Sequence, residues 1–131
     1  MKSVFRKGDI KRHSFNVTEK DVAHFEKQAV HDVCATFTLA REIEWATRLF
    51  VLDMLEAGEE GIGTHLNIQH VAPALIGEEV NIIAEFNDIV DKEIICSYTA
   101  KVGDRIVSKG TTGQKILPKE KLNHIFNNLS K

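Results

Sequence analysis

Cys34 and Cys96 are the only cysteines, far apart and without Cys-x-x-Cys spacing. That scarcity excludes a disulfide scaffold and a thiolate metal cluster, and the two thiols read as small core residues in a reducing compartment. With two prolines, no repeat and no low-complexity stretch there is no candidate linker, so residues 1–131 read as one domain. No run approaches the ~18 continuous apolar residues of a spanning helix, and the charged opening Met1 to Gly8 lacks an apolar signal region. The expectation is a cytoplasmic protein without a membrane partner. Nor does either charge sign dominate: the net charge is -2 and the pI about 6.3, which leaves no basic field for a nucleic acid. Asn16-Val17-Thr18 and Asn128-Leu129-Ser130 match a glycosylation pattern that has meaning only in a secreted chain.

What is present is an ordinary globular composition, 43% hydrophobic and 27% charged, in a chain long enough to bury about two thirds of its unfolded surface. The box Thr18-Glu19-Lys20-Asp21 predicts a short helix through about Gln28, after a strand near 9–16. From Thr38 to Ala57, Leu39, Ile43, Ala46, Phe50, Met54 and Ala57 recur at intervals of three and four, which predicts one long helix ended by Gly58. Its apolar arc is wide, so other structure should wrap it. Gly58 to Gly63 reads as loop, and the period then becomes two. Ile62, Thr64, Leu66, Ile68 and His70 fall on one face of a strand, with Gly63, His65, Asn67 and Gln69 on the other. Val80 to Phe86 and Ile94 to Ala100 alternate likewise, with turns at Asp91-Lys92 and Gly103-Asp104 and a last strand over 105–117. Pro118 then opens a helix packing Leu122, Ile125, Phe126 and Leu129 on one side. One long helix followed by antiparallel strands is an α+β pattern in which a curved sheet wraps the helix.

Three residues hold addresses that suit chemistry, each with a plain structural reading beside it. Glu44 lies where the apolar arc meets the polar stripe. It is either a functional carboxylate or part of a helix-surface network with Arg41 and Arg48, where each pair is worth only ~0.2–0.5 kcal/mol. His70 should point toward the helix, as a catalyst or as a satisfied core histidine. Thr36 precedes the helix and could cap it. A zinc site joining His65 and His70 is excluded by their opposite faces, and His13, His24, His31 and His124 lack ligand spacing, so no metal is expected. Gly61-Ile62-Gly63 lacks the strand–loop–helix setting of a dinucleotide loop, and no phosphate-binding loop occurs, so no cofactor is expected.

The segments Ala35-Thr36, Glu44-Trp45 and Gly63-Thr64-His65-Leu66-Asn67-Ile68-Gln69-His70 resemble the hotdog thioesterases related to fluoroacetyl-CoA thioesterase. In that family a Thr ahead of the central helix, a Glu eight positions on and a His twenty-six beyond form the catalytic set, intervals that Thr36, Glu44 and His70 reproduce. Gly63, seven residues ahead of the His, matches a glycine that lies beside the thioester. The likeness spans roughly residues 10–120, taking in Pro73 to Gly77 and Ser108 to Thr111. Two features depart from it. Thr111-Thr112-Gly113-Gln114 stands where the family carries Thr-His and then Arg, and Val22 to Val33, the lid region, matches only at Val30.

The resemblance implies a hotdog fold with the sheet wrapped around the central helix and a C-terminal helix. It also implies hydrolysis of an acyl-CoA to free acid and CoA by Thr36, Glu44 and His70, with Gly63 beside the substrate and its backbone supplying an oxyanion donor. CoA is then substrate rather than cofactor, and the protein a homodimer with sites at the interface. The rival functions on this fold are an acyl-CoA-binding or sensing module without turnover and a dehydratase or isomerase of CoA esters, which would release no thiol.

Overall fold

Leu39, Ile43, Ala46, Phe50 and Met54 are all sealed from solvent, so the stripe that predicts the long helix is the stripe that it buries. The computed structural model describes residues 1–25 and 28–130, and the side chains of residues 24–30 lie outside that description. The elements run β1 (Ile10–Asn16), a 3-10 turn (Glu19–Asp21), β2 (Val22–Phe25), β3 (Gln28–Cys34), α1 (Thr36–Met54), β4 (Glu59–His70), β5 (Glu79–Val90), β6 (Glu93–Val102), β7 (Arg105–Pro118) and α2 (Lys119–Leu129). Five strands form one antiparallel sheet in the order β1-β5-β6-β7-β4, while β2 and β3 make a separate hairpin. Helix α1 touches all five strands, the α+β hotdog arrangement of a sheet wrapped around one helix.

Alternation supplies the sheet's half of the core. Val80, Ile82, Ala84 and Phe86 of β5 and Ile94, Cys96, Tyr98 and Ala100 of β6 face α1 and are buried. The Phe50 ring meets Phe5 edge-on at 4.9 Å and Phe86 at 5.7 Å, contacts worth ~0.5–1.5 kcal/mol each beyond area burial. Both expected hairpin turns form. Asp91 and Lys92 take φ of 49° and 67°, the left-handed pair whose twist matches the flanking strands.

Four expectations need correction. The box at Thr18 closes, with Thr18 N–H donating to Asp21 and Lys20 N–H to the Thr18 hydroxyl, but the turn stops at Asp21. The following residues pair instead as β2 and β3, with Val22 opposite Cys34 and Phe25 opposite Gln28, so tertiary pairing overrides the local start signal. Helix α1 begins at Thr36 and ends at Met54, leaving Ala57 exposed. The glycine-rich run after it is strand rather than loop, because Glu59 and Glu60 pair with Pro118 and Leu117. Helix α2 forms but buries only Leu122, with Ile125, Phe126 and Leu129 exposed and Pro118 as its cap.

Candidate active site

Strand β4 positions the site through a defect. Gly63 pairs with Gln114 and His65 with Gly113, so Thr64 has no partner and the register shifts there. Paired residues of an antiparallel sheet share a face, and Gln114, Thr112, Gly110 and Ser108 lie on the helix side with Ile94, Cys96, Tyr98 and Ala100. Ahead of the bulge the helix side therefore takes Gly61 and Gly63, and beyond it Leu66, Ile68 and His70. The unbroken period read from the sequence put Ile62 and Thr64 on that face and Gly63 on the other, and the bulge reverses those three. Gly63 and His70 are an odd interval apart, so only the bulge lets both face the helix. His65 stays outward, beside Thr111 at 3.3 Å, and among the described residues no cluster suits a metal ion.

Glycine at 61 and 63 lets the helix approach. A Cβ at 61 would lie 2.6 Å from Val51 Cγ1, and one at 63 would lie 2.5 Å from Glu44 Oε1. Glu44 therefore reaches over the bare backbone of Gly63. Neither arginine within a turn neutralises it: Arg41 sits 3.7 Å from Asp21 and 3.5 Å from Glu42, and Arg48 donates to the Gly61 carbonyl at 3.1 Å. The surface network that could have explained Glu44 does not form. Its carboxylate has no hydrogen bond or ion pair among the described residues and opens into a cavity of about 570 Å³, walled also by His13, Arg41, Trp45, Arg48 and Gln114.

Thr36 is the first residue of α1, and the cap position, Ala35, makes no side-chain cap bond. The Thr36 hydroxyl is instead 2.9 Å from His70 Nδ1. Where the hydroxyl donates, the proton of a neutral His70 sits on Nε2. The pair lines a second cavity of about 410 Å³ with Val33, Val71, Ala72 and Pro73. Eight residues of helix put Thr36 about 12 Å along the axis from Glu44. One protomer thus joins Thr36 to His70 and holds Glu44 with Gly63 elsewhere. Cys34, two residues from Thr36, is no rival nucleophile: burial pushes its thiol up to about 11, as it pushes Cys96 up to about 12.

Two residues of the Glu44 cavity carried no usable local signal. His13, one of the scattered histidines, meets Glu42 at 2.9 Å across β1 and α1. Gln114, visible in the sequence only as a departure from a family pattern, is buried and donates to the Glu44 main-chain carbonyl at 3.3 Å and to the Thr47 hydroxyl at 3.0 Å. The other departure, Thr112, carries a buried hydroxyl with no partner among the described residues. The Val30 side chain lies outside the described residues.

A family model described as fluoroacetyl-CoA-specific thioesterase matches residues 17–120, which include Thr36, Glu44, Gly63, His70 and Gln114. The chain belongs to that family. Within the fluoroacetyl-CoA-specific thioesterase family it is 27% identical over 129 residues to fluoroacetyl-CoA thioesterase of Streptantibioticus cattleyicolor, covering 94% of this chain and 93% of that one. Among solved structures it is similar to a thioesterase superfamily member of Thermus thermophilus, with a TM-score of 0.90 and 31% identity over 95% of this chain and 93% of the other. The structure of fluoroacetyl-CoA thioesterase itself superposes with a TM-score of 0.85 at 24% identity, covering 95% and 96% of the two chains, a likeness of fold. The protein is a thioesterase-family enzyme, and no helix among the described residues is long and apolar enough to cross a membrane.

Proposed function

We propose that the protein hydrolyses an acyl-CoA thioester to the free acid and CoA in the cytoplasm, as a homodimer whose sites each combine Glu44 and Gly63 of one protomer with Thr36 and His70 of the other. The observation that carries this reading is the carboxylate of Glu44, unpaired over Gly63 while both neighbouring arginines are engaged elsewhere. The carboxylate is exposed to the cavity rather than held in a helix-surface pair, so it is open to a substrate. The apolar side chains that a partner could cover, Phe37, Trp45 and Leu66, are exposed on α1 and β4, and the outer edge of β4 pairs with no other strand among the described residues.

In this reading the thioester carbonyl lies over Gly63, whose neighbouring backbone N–H stabilises the oxyanion. Glu44 attacks the carbonyl carbon to give a mixed anhydride, or takes a proton from the attacking water. In either route the C–S bond breaks and the sulfur leaves with its electron pair as thiolate. In the anhydride route water then cleaves the anhydride, releasing the acid and regenerating the Glu44 carboxylate. In both, the proton given up by that water reaches the sulfur through His70, held by Thr36, which gains one proton for the one it passes on. CoA enters only as part of the substrate.

The test is thiol release from short, branched, aromatic and fluorinated acyl-CoAs, followed with a chromogenic thiol reagent, for the wild type and for folded Glu44→Gln and His70→Ala. Turnover that both variants lower by ~100-fold or more is the expected result. Unchanged rates in the variants would overturn the residue roles. Saturable acyl-CoA binding without thiol release would make the protein a sensor.

A further inference from the structure

Gly63 and Gln114 are a cross-strand pair, β4 facing β7, and both touch Glu44, at opposite ends of the residue. Gly63 leaves room for the carboxylate, since a Cβ there would stand 2.5 Å from Oε1. Gln114, only 3% exposed, has its amide nitrogen 3.3 Å from the Glu44 carbonyl oxygen and 3.0 Å from the Thr47 hydroxyl. That hydroxyl in turn lies 3.2 Å from the Glu44 carbonyl and 3.4 Å from the Ile43 carbonyl. One amide group thus braces the helical turn that carries Glu44 against the strand over which its carboxylate hangs. The Glu44 side chain has no polar partner of its own among the described residues, so its placement depends on where its main chain is held.

We infer that Gln114 is a positioning residue for Glu44: by anchoring the Glu44 carbonyl, directly and through Thr47, it sets the carboxylate over Gly63 at the distance the reaction needs. This rests on the thioesterase reading for its kinetic consequence and on geometry alone for the placement. An amide suits the task because it donates two hydrogen bonds without charge.

The experiment replaces Gln114 with methionine, which keeps length and shape and removes the donors. Acyl-CoA turnover is measured for wild type, Gln114→Met, Glu44→Gln and the double variant, and the Glu44 carboxylate carbon is followed by NMR, its signal assigned by its loss in Glu44→Gln. The expected result is kcat lowered about 10- to 100-fold in Gln114→Met with KM within about threefold. The Glu44 signal should move, and the double variant should be no slower than Glu44→Gln alone. Additive losses, or a fall in kcat with the Glu44 signal unmoved, would overturn the inference by making Gln114 merely structural. So would unchanged kcat. A wild type that turns over no acyl-CoA sinks the thioesterase reading instead, and movement of the Glu44 signal then decides the placement by itself. Should Gln114→Met fail to fold, Thr47→Val cuts the same relay and carries the same expectations.

Discussion

Thr112 sits on the helix side of β7 between Leu66 and Cys96, and its hydroxyl meets no partner among the described residues. A buried hydroxyl left unsatisfied costs ~1–3 kcal/mol. Thr112→Val keeps the branched shape that suits a strand and removes the oxygen. It should raise stability by about 1 kcal/mol, read as a rise of a few degrees in Tm by thermal denaturation, and a fall in Tm would mean that the hydroxyl is satisfied in the working protein. At this scale Glu44 and His70 drew notice by their addresses on the helix and the strand, and Thr36 joined them only through the intervals of the family resemblance; the structure brings Thr36 to His70 and leaves Glu44 apart. Gln114 and His13 carried no such signal, because their partners, the Glu44 carbonyl and Glu42, lie on elements that meet only in the folded chain.

Period decides the elements, and it was readable wherever it ran unbroken. The α1 stripe from Leu39 to Met54 and the alternation of β5 and β6 came through as read, since each buries the residues that its spacing nominates, and only Ala57 fell outside the helix. Strand β4 was misread because a period of two carries no mark of a bulge, and one extra residue moves every side chain ahead of it to the other face. The hairpin of β2 and β3 was misread for a different reason: a capping box signals a turn's start and says nothing about its length. The bulge makes a sharp prediction. Deleting Thr64 restores regular pairing and sends either Gly63 or His70 to the outer face, so thiol release should fall ~100-fold or more, with some loss of Tm. Thr64→Ala, which changes only an outward side chain, should stay within about threefold of wild type. Normal turnover in the deletion would remove the bulge from the account of the site.

For the whole molecule the question is which chain supplies which residue. Two cavities on one protomer, one holding Glu44 and the other Thr36 with His70, suit a two-fold assembly in which each site draws on both chains. Mixing Glu44→Gln with His70→Ala tests this directly. After random exchange about half of the dimers are mixed, and each mixed dimer holds one intact site of two, so about a quarter of wild-type turnover should return. No recovery after proven exchange would place the complete set within one chain. The α+β fold class and the run from α1 through β7 to α2 were legible here, while the β2–β3 hairpin, the order of strands in the sheet and the separation of the two cavities were not, because they depend on which elements meet in the folded chain.

That length of helix has a mechanical meaning. In such a dimer α1 is a beam with a working part of each site on it, Thr36 serving one and Glu44 the other. The core packs Leu39, Ile43, Ala46 and Phe50 along the same stretch, so this length of helix is expected to shift as a unit. Where a substrate shifts the main chain of Glu44 in one site, Thr36 in the other is expected to follow, which would couple the two sites. The mixed dimer, with a single working site, is the form in which that linkage is cut, and its rate per intact site against that of the wild type measures how much each site hinders or helps its twin.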